Sequence, residues 1–261
     1  DNSNLSYGFT TRGCIRACSF CLVSKKEGKI HEHADYGEFY DPSTRGLVLF
    51  DNNIVAHPHG IRQLESIRDR HIPVDCNQGM DARIICKSEV LQRLVADLTP
   101  LGTRGIRIAC DQKSEIEPCH KVIQSVLERN PKAAFIVYCI LTDDEEDSLN
   151  RVLQWRRYGH KVAVYAPPYR NFDDPNQVIP RWQKDLSRWA SNHFIYYGME
   201  WDEYKKNKGR RKKEMFTPDL DFGEGEGGQP LNTSSHRSLD TSRDAQHPLG
   251  MSWSGAPTMT A

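Results

Sequence analysis

The sequence predicts an α/β protein with parallel strands, arranged as an incomplete (β/α)6 TIM-like barrel and followed by a disordered C-terminal tail. Two observations carry this: short apolar runs alternate with amphipathic, helix-period segments through the first 204 residues, and that periodicity is gone by Thr217. Strand and helix alternating this often imply parallel strands joined by helical crossovers. Six such units fall short of the eight that close a barrel, and in this architecture chemistry sits at the C-terminal ends of the strands.

The strands are expected at Ser6–Thr10, Leu47–Phe50, Pro73–Cys76, Gly105–Cys110, Ala134–Leu141 and Lys161–Ala166, mostly rich in Val, Ile, Phe or Tyr. Helical patterns fill the gaps at about Ile61–Arg70, Val90–Leu98, Glu117–Arg129 and Asp144–Arg157. Thr142 with Glu145, and Ser114 with Glu117, have the spacing of capping boxes, although Pro118 disturbs the second. Trp182 and Trp189 are seven apart on a further helix and read as core. The expected organisation is a barrel domain over residues 1–204, a basic linker over 205–216 around the run Lys205–Lys213, and a tail over 217–261. Gly, Pro, Ser and Thr make up almost half of the tail, a composition too poor in apolar groups to offset the entropy of ordering.

Lys and Arg number 35 against 35 Asp and Glu, so no general field draws the chain to nucleic acid or an anionic membrane. Mean hydropathy is −0.67, and no apolar run approaches the roughly 18 residues of a membrane helix. The sequence opens at Asp1 without an export signal and reads as a fragment. Of eight cysteines, Cys14, Cys18 and Cys21 are clustered and the rest are scattered, a pattern suited to a reducing, cytoplasmic compartment.

The clustered three form C-x3-C-x2-C in the loop after the first strand, within Tyr7-Gly8-Phe9-Thr10-Thr11-Arg12-Gly13-Cys14-Ile15-Arg16-Ala17-Cys18-Ser19-Phe20-Cys21. A closed zinc site needs four ligands, so zinc here would require a remote partner such as His31, His33 or Cys76. Three thiolates on a four-iron cluster leave one iron without a protein ligand, open to a substrate. His57 and His59 flank Pro58 and read as a solvated turn.

This loop resembles that of the radical SAM superfamily, whose signature C-x3-C-x-φ-C has an aromatic residue where Phe20 stands. The resemblance is greatest to a group of bacterial and phage radical SAM proteins that share the lead-in Gly8–Cys14, an Asp-Asn-Asn after the second strand (Asp51, Asn52, Asn53) and an Asn-Gln-Gly-x-Asp-Ala-Arg after the third (Asn77–Arg83). It implies a [4Fe-4S] cluster on Cys14, Cys18 and Cys21 that cleaves S-adenosylmethionine reductively. The product is a 5′-deoxyadenosyl radical that abstracts hydrogen from a substrate. A reductase electron donor of flavodoxin or ferredoxin type is implied with it.

The superfamily places a Gly-Gly-Glu-like motif after its second strand to hold the SAM ammonium. Asp51-Asn52-Asn53 departs from it but offers a carboxylate and two amide carbonyls, or simply a turn. Asn77, Gln78 and Asp81 are candidates for the SAM ribose or the substrate and Arg83 for a carboxylate, the bland alternative being a turn with a surface ion pair; Asp111 is a candidate for ribose or else a helix-leading acid. Thr142–Glu145 matches the position where the superfamily meets adenine, and Tyr169 and Arg170 face the expected mouth. Neither a cysteine-rich C-terminal domain nor a cobalamin motif is present in the sequence. Methyl or methylthio transfer competes with plain hydrogen abstraction. The alternative to an enzyme is a metal-stabilised nucleic-acid-binding module that holds RNA through Lys205–Lys213.

Overall fold

The computed structural model describes residues 4–214 apart from Arg104 and Pro175, with backbone only for 209–214. The predicted tail, 217–261, lies outside the described residues. Strands β1 (Ser6–Gly8), β4 (Leu47–Leu49) and β5 (Val74–Cys76) form one parallel sheet in that order, and β6 (Ile106–Ala109), β7 (Phe135–Tyr138) and β8 (Val162–Tyr165) form another. Two-residue strands β2 (Thr11–Arg12) and β3 (His31–Glu32) pair antiparallel in the loop after β1. All six expected strands are present, each shortened to the ladder-bonded part of its expected range.

Between the two sheets the ladder is interrupted. Thr99–Leu101 takes the positions beside Val74, with Val74 N–H to Thr99 O at 2.9 Å and Leu101 N–H to Val74 O at 3.2 Å. The sheets meet instead beyond the end of β5, where Met80 N–H donates to Arg107 O at 2.8 Å.

Alternation along the strands separates two faces. Leu47, Leu49, Val74, Ile108, Phe135, Val137 and Val162 point outward into one core shared with the helices. α2 (Pro58–Asp69) contributes Leu64 and Ile67, α4 (Glu89–Asp97) Leu94 and Val95, and α5 (Ile116–Arg129) Val122, Ile123 and Val126. Trp155, next to α6 (Glu145–Leu153), and Trp189, on α7 (Arg181–Ser191), complete that core, so Trp189 is core as expected and Trp182 packs against it. The inner-facing set is Tyr7, Val48 and Asp75 in register on the first sheet, and on the second Arg107 with Ile136 and Ala163, and Ala109 with Tyr138 and Tyr165.

Helix starts differ from the sequence expectation. α2 begins at Pro58 because the His57 imidazole caps it, accepting from His59 N–H at 3.2 Å, and His59 is buried against Ala34 O rather than solvated. The box before α5 is Gln112 with Glu115, not Ser114 with Glu117. α6 is capped by Asp144, which accepts from Asp147 N–H, not by Thr142. The basic run read as a linker is helical as part of α9 (Trp201–Glu214), next to the short α8 (His193–Gly198). Among the described residues no helix is long and apolar enough to cross a membrane.

Candidate functional site

The loop carrying the cysteines is fixed by two buried or half-buried carboxylates. Asp51, just past β4, accepts from the backbone N–H groups of both Thr10 and Thr11 and from both hydroxyls at 2.7 Å. Glu27, after α1 (Val23–Lys26), accepts from Gly13 N–H at 2.8 Å, Asn52 Nδ2 at 2.8 Å and Arg12 Nη2 at 2.8 Å. Burial works against charge on Glu27, but the Gly13 N–H and the Arg12 guanidinium outweigh it and hold the carboxyl below its usual range. Gly13 has φ +77°, and a Cβ there would sit 2.5 Å from Lys29 O, so only glycine fits immediately before Cys14.

A cavity of about 190 Å³ opens where this loop meets the C-terminal ends of the strands. Cys14, Cys18 and Cys21 line it together with Phe20, Asn52, Asn53, Gln78, Asp81, Arg83 and Asp111. Motifs far apart in the chain thus converge on one place. Asp51 and Asn77 do not line the cavity. The Asp51 carboxylate is taken up by Thr10 and Thr11, and Asn77 continues the β4–β5 ladder through its N–H to Leu49 O at 2.9 Å. Thr142–Glu145, Tyr169, Arg170, His31, His33 and Cys76 are likewise not among the lining residues.

Asp81 caps the short helix α3 (Ala82–Ile85) through Arg83 N–H and also accepts from Arg83 Nε at 2.9 Å and Arg16 Nε at 2.8 Å. Its burial favours the neutral acid, yet the two guanidiniums overcome this and keep it below the usual carboxylate range. Arg83 spends its remaining end on buried Glu115 at 2.6 Å, so the carboxylate receptor expected at Arg83 is already satisfied within the chain. Arg16 has no hydrogen-bond partner for its terminal nitrogens among the described residues. Burial pushes Asp111 up to about 6, against the Ile140 N–H that donates to its Oδ1 at 2.8 Å and with Glu115 adding repulsion. Burial also raises the Cys18 thiol, despite Arg83 nearby.

Asn53 is 4% exposed, its Nδ2 lies 3.7 Å from Cys14 Sγ, and its Oδ1 is buried with no hydrogen-bond partner among the described residues. Arg16, Glu27 and Glu115 went unnoticed in the sequence; only Arg16 carried a signal, its place inside C-x3-C. No group of three His, Cys, Asp or Glu side chains among the described residues is set to hold a single metal ion. A cubane cluster takes each thiolate on a separate iron.

A larger cavity of about 540 Å³ lies in the gap between β5 and β6, lined by Val74, Cys76, Leu98 and Ile106, and Met80 borders both cavities. Within the basic run, Lys205 pairs with Asp202 at 2.9 Å and Lys208 with Asp185. No family model matches the chain, and no curated protein matches it.

Proposed function

We propose that the chain is a radical SAM enzyme on an incomplete (β/α)6 barrel, with Cys14, Cys18 and Cys21 as the protein ligands of a [4Fe-4S] cluster. One observation carries the reading: the cavity that gathers the three thiols is also lined by Asn53, whose Oδ1 is buried with no hydrogen-bond partner among the described residues. A buried acceptor left unpaired costs about 1–3 kcal/mol, which a ligand's donor recovers. The donor set fits the group, since among the described residues three thiols, and neither a fourth thiol nor an imidazole, line the cavity. When bound, the cluster supplies the electron that splits S-adenosylmethionine into methionine and a 5′-deoxyadenosyl radical.

The chain's own residues orient the cofactor. Asn53 Oδ1 accepts from the SAM ammonium, and Arg16 meets its carboxylate with the guanidinium end that Asp81 leaves unused. Asp111, protonated below about pH 6, presents either a donor or an acceptor to a ribose hydroxyl. Asp51 and Glu27 hold the cysteine loop, and the Arg83–Glu115 pair lines the same cavity as Cys18. Cys18 gives up its proton on binding iron, so loading is favoured at alkaline pH. A flavodoxin- or ferredoxin-type reductase is the electron source this chemistry calls for.

Anaerobic reconstitution tests the reading. The wild-type protein should take up about four irons, the expectation for a cubane on three thiolates. Cys14→Ala, Cys18→Ala and Cys21→Ala should each lose the cluster, while Cys119→Ala, at a buried thiol facing Ala109 O, should keep it. Stoichiometric zinc with no iron uptake would sink the proposal.

A further inference from the structure

The inner face of the two sheets bears aromatic rings on both edge strands. On β1 and beyond β4, Tyr7 stacks on Phe50 at 5.8 Å with an 11° tilt between planes, and Phe9 leans on the same Phe50 at 5.7 Å. On the other sheet Tyr165 of β8 lies 5.7 Å from Tyr138 of β7. Tyr7 is 42% exposed and Tyr165 52%, although the outer faces of the same strands are covered by helices.

Charge on this face is closed off. Its charged strand residues are Asp75 and Arg107, which bond each other at 2.7 and 2.9 Å, and Arg107 Nη1 donates onward to Tyr138 Oη at 2.7 Å. Tyr138 then donates to Asn77 O at 2.8 Å, which ties the ring wall to the Asn77-Gln78 pair. The amides of Asn77 and Gln78 touch each other only through a long 3.5 Å bond, and Gln78 also lines the cavity of the cysteines. Tyrosine rings, neutral amides and closed ion pairs together suit a planar, uncharged ring with a hydrogen-bonding edge. A sugar lacks the π face and a benzyl side chain lacks the edge.

We propose that this inner face is the substrate platform and that it takes a nucleobase, stacked on Tyr7 or Tyr165 with its edge on the Asn77 and Gln78 amides. The inference rests on the radical SAM reading, because it is the cavity bordered by Gln78 that makes a neighbouring ligand a substrate. Base–aromatic stacking removed by an alanine weakens binding roughly fivefold to a hundredfold.

Calorimetry on the reconstituted protein with saturating S-adenosylmethionine should detect guanosine or a single-stranded RNA hexamer, and not ribose. Tyr165→Ala combined with Tyr7→Ala should lower that affinity by roughly tenfold or more, and Tyr165→Phe should preserve it. Tighter binding of the hexamer assigns the base to RNA; equal binding assigns it to a free nucleoside. Failure of both probes to bind the wild type, or undiminished affinity in the folded double variant, overturns the platform. Iron content and S-adenosylmethionine binding are read on the same samples, and their absence in the wild type overturns the underlying reading instead, whatever the nucleoside does.

Discussion

Arg16, between the first two cysteines, donates its Nε to Asp81 Oδ2 at 2.8 Å, which ties the cysteine loop to the segment after β5. The pair is half-buried on the Arg16 side, so breaking it costs modestly in stability, about 1 kcal/mol or less. Its value lies in aiming the rest of the guanidinium. Arg16→Ala should therefore retain iron after reconstitution yet bind S-adenosylmethionine about tenfold more weakly, the scale of a lost charge-assisted bond. Equilibrium dialysis with the labelled cofactor reads this directly; equal affinity in variant and wild type would remove Arg16 from the site.

Asn53 can be tested by what its orphaned oxygen accepts. Asn53→Asp keeps the acceptor and adds charge, whereas Asn53→Leu removes it at similar volume. In the cofactor-free protein the Leu variant should be no less stable than wild type, since a buried unpaired oxygen is relieved. Its S-adenosylmethionine affinity should fall about tenfold or more while iron content is unchanged. A Leu variant that melts below wild type, or that binds S-adenosylmethionine as tightly, would overturn the assignment.

Asp111 gives a pH dependence. Its folded value, pushed up to about 6 by burial, lies above the ~3.9 of an unfolded aspartate, so between about pH 4 and 6 the folded state holds the proton more tightly. Stability contributed by this group is therefore full below pH 4 and is lost as pH rises through 6. Asp111→Asn, which keeps an acceptor for the Ile140 N–H, should raise stability at pH 7.5 by about 1–3 kcal/mol and change little at pH 4. Urea denaturation at the two pH values compares them; an equal effect at both would mean that burial does not raise Asp111 above its unfolded value.

Asp51 was expected to face the cofactor and instead spends its oxygens on Thr10 and Thr11. Asp51→Ala strands two buried N–H donors at about 1–3 kcal/mol each, so the melting temperature should drop by roughly 5–15 °C. Scanning calorimetry of the metal-free protein separates this from any effect of cluster loss. A drop below 2 °C would show that the loop does not depend on Asp51.

The sheet was mostly legible because apolar runs of Val, Ile and Phe have few other uses, and each expected strand holds a real ladder within its range. Motif spacing also brought most candidates to one cavity, Asn52, Asn53, Gln78, Asp81, Arg83 and Asp111 among them. What the sequence hid was partner choice. A lone Asp after a strand reads the same whether it meets a ligand, as a cavity-lining Asp111 can, or two backbone N–H groups, as Asp51 does. Glu27 and Glu115 lie in polar surroundings with no motif, and only the fold makes them the counter-charges of Arg12 and Arg83. The caps before α5 and α6 slipped by two residues because several Ser, Thr, Asp and Gln compete there at equivalent spacing.

Two glycines of the cysteine loop separate backbone conformation from space. Gly13 and Gly28 both occupy the left-handed region, at φ +77° and +73°. A Cβ on Gly28 meets nothing within 4 Å, whereas one on Gly13 lands 2.5 Å from Lys29 O and 2.8 Å from Gly28 O, both backbone atoms that cannot rotate away. Gly28→Ala should therefore cost only the conformational preference, about 1–2 kcal/mol, and still assemble the cluster. Gly13→Ala must in addition push apart the bend at Gly28-Lys29 and the turn before Cys14, whose N–H bonds Gly28 O at 3.3 Å. That displaces the first thiol, so iron uptake should fall severalfold more in Gly13→Ala than in Gly28→Ala at matched folded fraction. Iron analysis beside circular dichroism measures the contrast, and equal iron retention in the two variants would show that the loop yields without moving Cys14.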